Sequence, residues 1–130
     1  MPLLRLRTLA LPKTPEDRDK AKIMAFLKTV PGWWWSTPRS RFGRAGIPDI
    51  LGCFFGIFHA IEVKRFDRWE NRDYGVTPTQ QRTLDAITNN AGFTWVIDDE
   101  VKFQKFKAFI RAAWCIEDPE GWAAQNGEQE

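Results

Sequence analysis

Apolar residues recur at Ile23, Leu27 and Val30, with Met24 and Phe26 beside them, which is the spacing of one face of a helix. Thr14-Pro15-Glu16-Asp17 supplies a start for it, with a Thr cap, Pro in the first helical position and an acid three residues after the cap. The predicted helix runs to about Val30, where Pro31-Gly32 stops it. Trp33 to Trp35 reads as a short strand. Alternation sends Trp34 to one face and Trp33 and Trp35 to the other, which favours core packing for the run; an exposed ring could instead stack on an unpaired base, and Trp69, in a polar loop, is the more exposed candidate. Asp49 to Phe54 and Ile57 to Arg65 are two β-rich runs whose separator, Phe55-Gly56, reads as a hairpin turn. A second Thr-Pro start, Thr77-Pro78-Thr79-Gln80, opens a helix with Leu84, Ile87 and Ala91 on one face, closed by Gly92. Phe93 to Ile97 is a fourth strand. Asp98 and Asp99 then cap a last helix carrying Phe103, Phe106, Ile110 and Trp114. The order α-β-β-β-α-β-α predicts an α/β domain with a mixed sheet flanked by helices.

Between these elements lie a basic, irregular lead-in over 1–13, an Arg-rich loop from Ser36 to Gly46 and a charged loop from Phe66 to Val76 that holds Trp69. With 130 residues, 43% of them apolar, the chain suits one core and not two, and its aromatic content excludes a disordered chain. All 19 Lys and Arg fall within residues 1–116, whereas Glu117, Asp118, Glu120, Glu128 and Glu130 fall in the remainder. We therefore expect one basic domain over 1–116, suited to an anionic partner such as nucleic acid, and a flexible acidic tail over 117–130. The longest mostly apolar run, Ile50 to Val63, is broken by Gly, His59 and Glu62 and falls short of the roughly 20 residues of a spanning helix. No membrane partner and no export signal are expected at the opening segment. Cys53 and Cys115 form no metal-binding cluster and read as buried thiols of a reducing cytoplasm. The aromatic surface of the last helix exceeds what a thin domain covers, which suggests a homodimer interface.

The hairpin carries the chemistry. With a two-residue turn at Phe55-Gly56, Phe54 faces Ile57, and counting outward puts Asp49 directly across from Glu62. Lys64 falls on the same face, two residues on. Two carboxylates held together need a compensating charge, either a hard divalent cation with oxygen ligands or a plain ion-pair cluster with Lys64. A longer turn would shift the register and dissolve the pair. Counting back along each helix stripe brings Glu16 and Gln80 to the inward face at the helix starts, where an acid also suits the helix dipole and a Gln also suits a capping box. Asp17 and Asp19 compete with Glu16. His59 alternates away from Glu62 and reads as structural. Arg39, Arg41 and Arg44 precede the Asp49 strand, and Arg65, Arg68 and Arg72 follow Lys64. Both sets are candidate phosphate clamps beside a cleft, or else ordinary solvated loops.

Gly46-Ile47-Pro48-Asp49, then Ile61-Glu62-Val63-Lys64, then Thr77-Pro78-x-Gln80 resembles the VRR-NUC branch of the PD-(D/E)xK nuclease superfamily over roughly Glu16 to Ile97. The resemblance implies an α-β-β-β-α-β core, a stand-alone domain of a bacterial cell or phage-infected host, and Mg²⁺- or Mn²⁺-dependent hydrolysis of DNA phosphodiesters. It implies Asp49, Glu62 and the Val63 backbone carbonyl as metal ligands, and Lys64 beside the attacking water. Gln80 matches the helix glutamine, and Glu16 a first-helix acid of more variable position that is a further candidate ligand. The long charged insertion between Lys64 and Thr77 departs from the pattern. Some proteins that look like this act as dimers on Holliday junctions, so branched DNA is the expected substrate. Simple duplex, flap or single-stranded DNA is the alternative, and a non-catalytic DNA-binding module of the same fold is the rival class.

Overall fold

The computed structural model describes residues 14–38, 45–66 and 75–127. Helix α1 (Pro15–Leu27) begins with a reciprocal capping box, in which the Thr14 hydroxyl accepts from the Asp17 N–H and the Asp17 carboxylate from the Thr14 N–H. Strands β1 (Trp33–Ser36), β2 (Ile50–Phe54) and β3 (Ile57–Val63) follow, then α2 (Pro78–Asn89), β4 (Phe93–Ile97), α3 (Glu100–Glu117) and α4 (Pro119–Asn126). Every predicted element up to α3 is present in the predicted order. The sheet runs β1-β2-β3-β4, with antiparallel pairing across the first two junctions and parallel pairing of β3 with β4. The parallel step is made by α2 as a crossover helix, as a parallel pair requires.

One face of the sheet carries the core. Ile50, Phe54, Ile61, Val63 and Ile97 pack against Ile23, Phe26 and Leu27 of α1 and against Phe103, Phe106, Ile110 and Trp114 of α3. His59 lies on this face, buried in a ring of Trp34, Phe54, Phe93 and Trp95, and its Nδ1 accepts a 3.1 Å bond from Trp95 Nε1. Burial pushes its pKa down to about 4, so the ring is neutral and structural. Trp34 enters the same core above Gly52, where a Cβ would stand 2.2 Å from the indole Cε3, so only Gly lets the ring approach the strand this closely.

Three expectations are corrected. The segment after Glu117 is not frayed over Pro119–Asn126, because Asp118 caps the new helix by accepting from the Gly121 N–H. Trp122 then packs edge-on against Trp114 with ring centroids 5.5 Å apart. Cys53 and Cys115 are exposed, not buried, since each falls on the outward phase of its strand or helix. Finally, the aromatic stripe of α3 is covered within the chain. Phe103, Phe106, Ile110 and Trp114 are all buried, and the Lys107 Nζ lies over the Phe103 ring, 4.5 Å from its centroid. That stripe therefore gives no reason for a homodimer. Among the described residues, no helix is long and apolar enough to cross a membrane.

Candidate active site

The turn joining β2 to β3 has the expected two residues, with Phe55 at φ 48° and Gly56 at φ 81°. Two successive positive φ values match the right-handed twist of a hairpin. Phe54 consequently pairs with Ile57 and Ile50 with Ile61, so the next position outward sets Asp49 against Glu62. Asp49 stands half-buried at the mouth of β2. Its backbone carbonyl is fixed by the Thr37 N–H at 2.8 Å and the Thr37 hydroxyl at 3.0 Å, and its Oδ2 accepts from the Val63 N–H at 2.8 Å. In a strand the N–H and C=O of one residue point to the same edge, so the Val63 carbonyl is turned towards Asp49 as well. The loop that delivers Asp49 depends on Gly46, at φ 83°, where a Cβ would meet the Thr79 Cγ2 and carbonyl at 2.9 Å.

Glu62 is 2% exposed, and among the described residues no N–H or O–H donor is directed at its Oε2. Desolvation first, then the adjoining Asp49 carboxyl, pushes its pKa up to about 9, while Lys64 pulls the other way and Glu16 adds a smaller upward push. The pair thus holds together only by retaining a proton, or by gaining a cation in its place. Lys64 lies 3.9 Å from Glu62 Oε1 and donates a 3.0 Å bond to Gln80 Oε1. Gln80 Nε2 donates to Glu62 Oε1 at 3.3 Å, and Gln80 Oε1 also accepts from the Thr77 N–H at 2.9 Å. The capping box and the site are therefore one arrangement, since the cap fixes the amide that ties Glu62 to Lys64.

On the first helix, the two competitors of Glu16 are committed elsewhere, Asp17 to the cap and Asp19 to the Phe66 N–H at 2.9 Å. Glu16 is the acid of α1 whose charge is felt at Glu62. Even so, among the described residues no three His, Cys, Asp or Glu side chains gather closely enough to hold a metal ion. The oxygen donors brought together are Asp49, Glu62 and the Val63 carbonyl, with Glu16 at a remove. One cation escaped notice in the sequence. Lys20, one turn beyond Glu16 on the same inward stripe, donates from Nζ to the Thr37 carbonyl at 2.7 Å, beside the strand end that presents Asp49. Arg65 is exposed next to Lys64, whereas Arg39, Arg41, Arg44, Arg68, Arg72 and Trp69 lie outside the described residues.

Beside the carboxylates a groove of about 790 Å³ runs along α2, lined by Ala45, Ile47, Phe58, Thr79, Arg82, Thr83, Ala86 and Ile87 among others. Among the described residues, no acid lines it.

No family sequence model matches this chain, and no curated protein does. A solved structure described as a VRR_NUC domain does match, with a TM-score of 0.57 at 21% identity, over 72% of this chain and 94% of that one. The chain has the fold of a VRR_NUC domain, a restriction-endonuclease-like α/β core with a four-stranded mixed sheet.

Proposed function

We propose that this protein is a Mg²⁺- or Mn²⁺-dependent DNA endonuclease that hydrolyses phosphodiester bonds, with branched DNA as its preferred substrate. The observation that carries the reading is the Asp49–Glu62 carboxyl pair, buried on one face of the sheet with Lys64 held beside it by Gln80.

The donor set fits a hard divalent cation. Two carboxylates and a backbone carbonyl are all oxygen ligands, and among the described residues no N–H or O–H donor is directed at the buried Glu62 Oε2. A bound cation would neutralise the pair, make hydroxide available near neutral pH and offset charge developing on the phosphate. The remaining work falls to the chain. The Val63 N–H and Thr37 hold Asp49 so that its free oxygen keeps one position. Lys64, whose side chain is 14% exposed, presents a fixed ammonium at the rim of the pair. There it would steady the scissile phosphate and orient the attacking water without reorganising during the reaction. Gln80 would keep that ammonium from collapsing onto Glu62 by accepting a hydrogen bond from it. Arg65 and Arg82 would contribute phosphate contacts at the edges, along with Arg39, Arg41 and Arg44 of one charged loop and Arg68 and Arg72 of the other. A four-way junction presents two symmetry-related strands, so a branched substrate would be met by two copies of the chain.

The decisive assay is incubation with labelled four-way junction, flap, plain duplex and single-stranded DNA, each with Mg²⁺, Mn²⁺ or EDTA. Metal-dependent cleavage that is lost in Glu62→Ala is the expected outcome, with the junction cut fastest. Undiminished cleavage by Glu62→Ala would overturn the site, and absence of cleavage by the wild type would favour a DNA-binding module.

A further inference from the structure

Among the described residues, the face of the sheet that presents Asp49 and Glu62 is only partly covered. Helix α2 lies over β3 and β4, and β1 at the far edge projects Trp33 and Trp35 from this face, 61% and 46% exposed. The register arranges the face in cross-strand rows. Trp33, Cys53 and Phe58 form one row, and Trp35, Leu51 and Ala60 the next. Asp49 and Glu62 come one step further along. Trp35 is the neighbour of Leu51, so it lies diagonally from Asp49, about 7–8 Å away on the backbone. Phe58, 43% exposed, also lines the groove along α2.

Neither exposed indole serves the core. Trp34 alone enters it, donating from Nε1 to the Pro31 carbonyl at 3.1 Å and covering Gly52, and a small polar residue would satisfy the edge strand on either side of it. Among the described residues, cations flank this face, with Arg82 on the groove wall, Lys64 at the carboxylate rim and Lys20 at the end of β1, while its acids, Asp49 and Glu62, sit together one step beyond Trp35. Aromatic rings flanked by cations match a strand of nucleotides, whose bases stack while its phosphates meet the positive charges. The strand pitch agrees. Residues two apart on β1 are separated by about 6.8 Å, which is about twice the 3.4 Å rise between stacked bases and admits one base between the rings.

We propose that Trp33 and Trp35 form a stacking platform for unpaired bases next to the scissile phosphate, so that the site acts where a strand leaves the duplex. This rests on the nuclease reading above and specifies its substrate. Stacking is tolerant of sequence, so the platform selects for unpaired structure and not for particular bases.

The test separates binding from cleavage. Binding of fluorescently labelled single strand, splayed-arm duplex and blunt duplex is measured by anisotropy in EDTA, for the wild type, the double variant Trp33→Ala/Trp35→Ala and Trp35→Phe. Both residues are exposed, and circular dichroism checks that the variants fold. The double variant is expected to bind single-stranded and splayed DNA about tenfold more weakly while blunt-duplex affinity stays within about twofold, and Trp35→Phe to retain most of the preference. Equal weakening on all three substrates, or none, would overturn the platform. So would conversion of a dimer to a monomer in light scattering with the substrate preference unchanged, which would give the face to a second copy of the chain. Cleavage with Mn²⁺ is then scored separately. A wild type that shows the Trp-dependent preference but cuts nothing would sink the nuclease reading and leave the platform standing. A wild type that cuts without that preference would do the reverse.

Discussion

Gln80 Nε2 donates to Glu62 Oε1 across 3.3 Å, while the other end of the same amide accepts from both Lys64 and the Thr77 backbone. An amide is required, because a donor must face the carboxylate and an acceptor the ammonium. Gln80→Glu keeps the cap but turns an acceptor towards Glu62, whereas Gln80→Ala removes both ends. We expect Gln80→Glu to lower kcat by one to two orders of magnitude with a small change in Tm. Gln80→Ala should lose similar activity and also about 1 kcal/mol of stability through the cap. Thermal melts and single-turnover cleavage distinguish the two. A Gln80→Glu variant as active as the wild type would remove Gln80 from the site.

The proton held between Asp49 and Glu62 makes stability depend on pH. The folded chain keeps a proton on Glu62 up to about pH 9, whereas the unfolded carboxyl loses it near its ordinary value of 4.5. The native state binds more protons between those limits, so stability falls as pH rises through them. His59 acts on the acid side with the opposite slope. It stays neutral in the fold down to about 4, while the unfolded ring charges below 6.5, so stability falls as pH drops through that range. Between pH 6.5 and 9 only the Glu62 slope remains. In EDTA the wild-type Tm is expected to decline across this window, and Glu62→Gln to flatten the decline. An equally steep slope in Glu62→Gln would show that the carboxyl is not held protonated.

Cation binding should run the other way. A divalent ion entering the pair must displace that proton, so its affinity rises with pH, and it stabilises only the folded chain. Addition of Mn²⁺ at about 100 times its dissociation constant is expected to contribute about 2.7 kcal/mol. The Tm gain should be larger at pH 8.5 than at pH 6.5 and absent from Asp49→Asn. Thermal shift with Mn²⁺, Mg²⁺ and Ca²⁺ measures this without reference to cleavage. A gain retained by Asp49→Asn would place the ion elsewhere.

The local signals that were legible in the sequence are those with a short-range cause. Two Thr-Pro starts produced two capping boxes, and the Phe55-Gly56 turn fixed the register that opposes Asp49 to Glu62. The double contact of Gln80 was not legible, because the capping box and an inward-facing site residue read as alternatives, whereas in the fold one amide caps the helix and bonds both Glu62 and Lys64. Helix α4 was missed although Asp118-Pro119 repeats the cap-then-Pro signal, since the acidic composition around it suggested a solvated end. What secures it is long-range, the Trp122 ring on Trp114. Exposure of Cys53 and burial of the α3 aromatics likewise depend on which faces α1 and α2 cover, a tertiary matter that no local pattern encodes.

The docking of α4 is itself testable. With no buried residue of its own, this helix is held by its Asp118 cap and by Trp122 packed against Trp114 and the edge of the core. An isolated eight-residue helix is not stable in water, so removal of its tertiary anchor should melt it. Trp122→Ala is expected to cost about 1–2 kcal/mol, to expose Trp114 and to raise amide exchange throughout 119–126, while cleavage and metal binding stay unchanged because the carboxylates lie on the other face of the sheet. Hydrogen exchange and near-ultraviolet dichroism read the outcome directly. Protection of 119–126 that survives the substitution would mean the Asp118 cap and the continuity with α3 hold the helix without the indole pair.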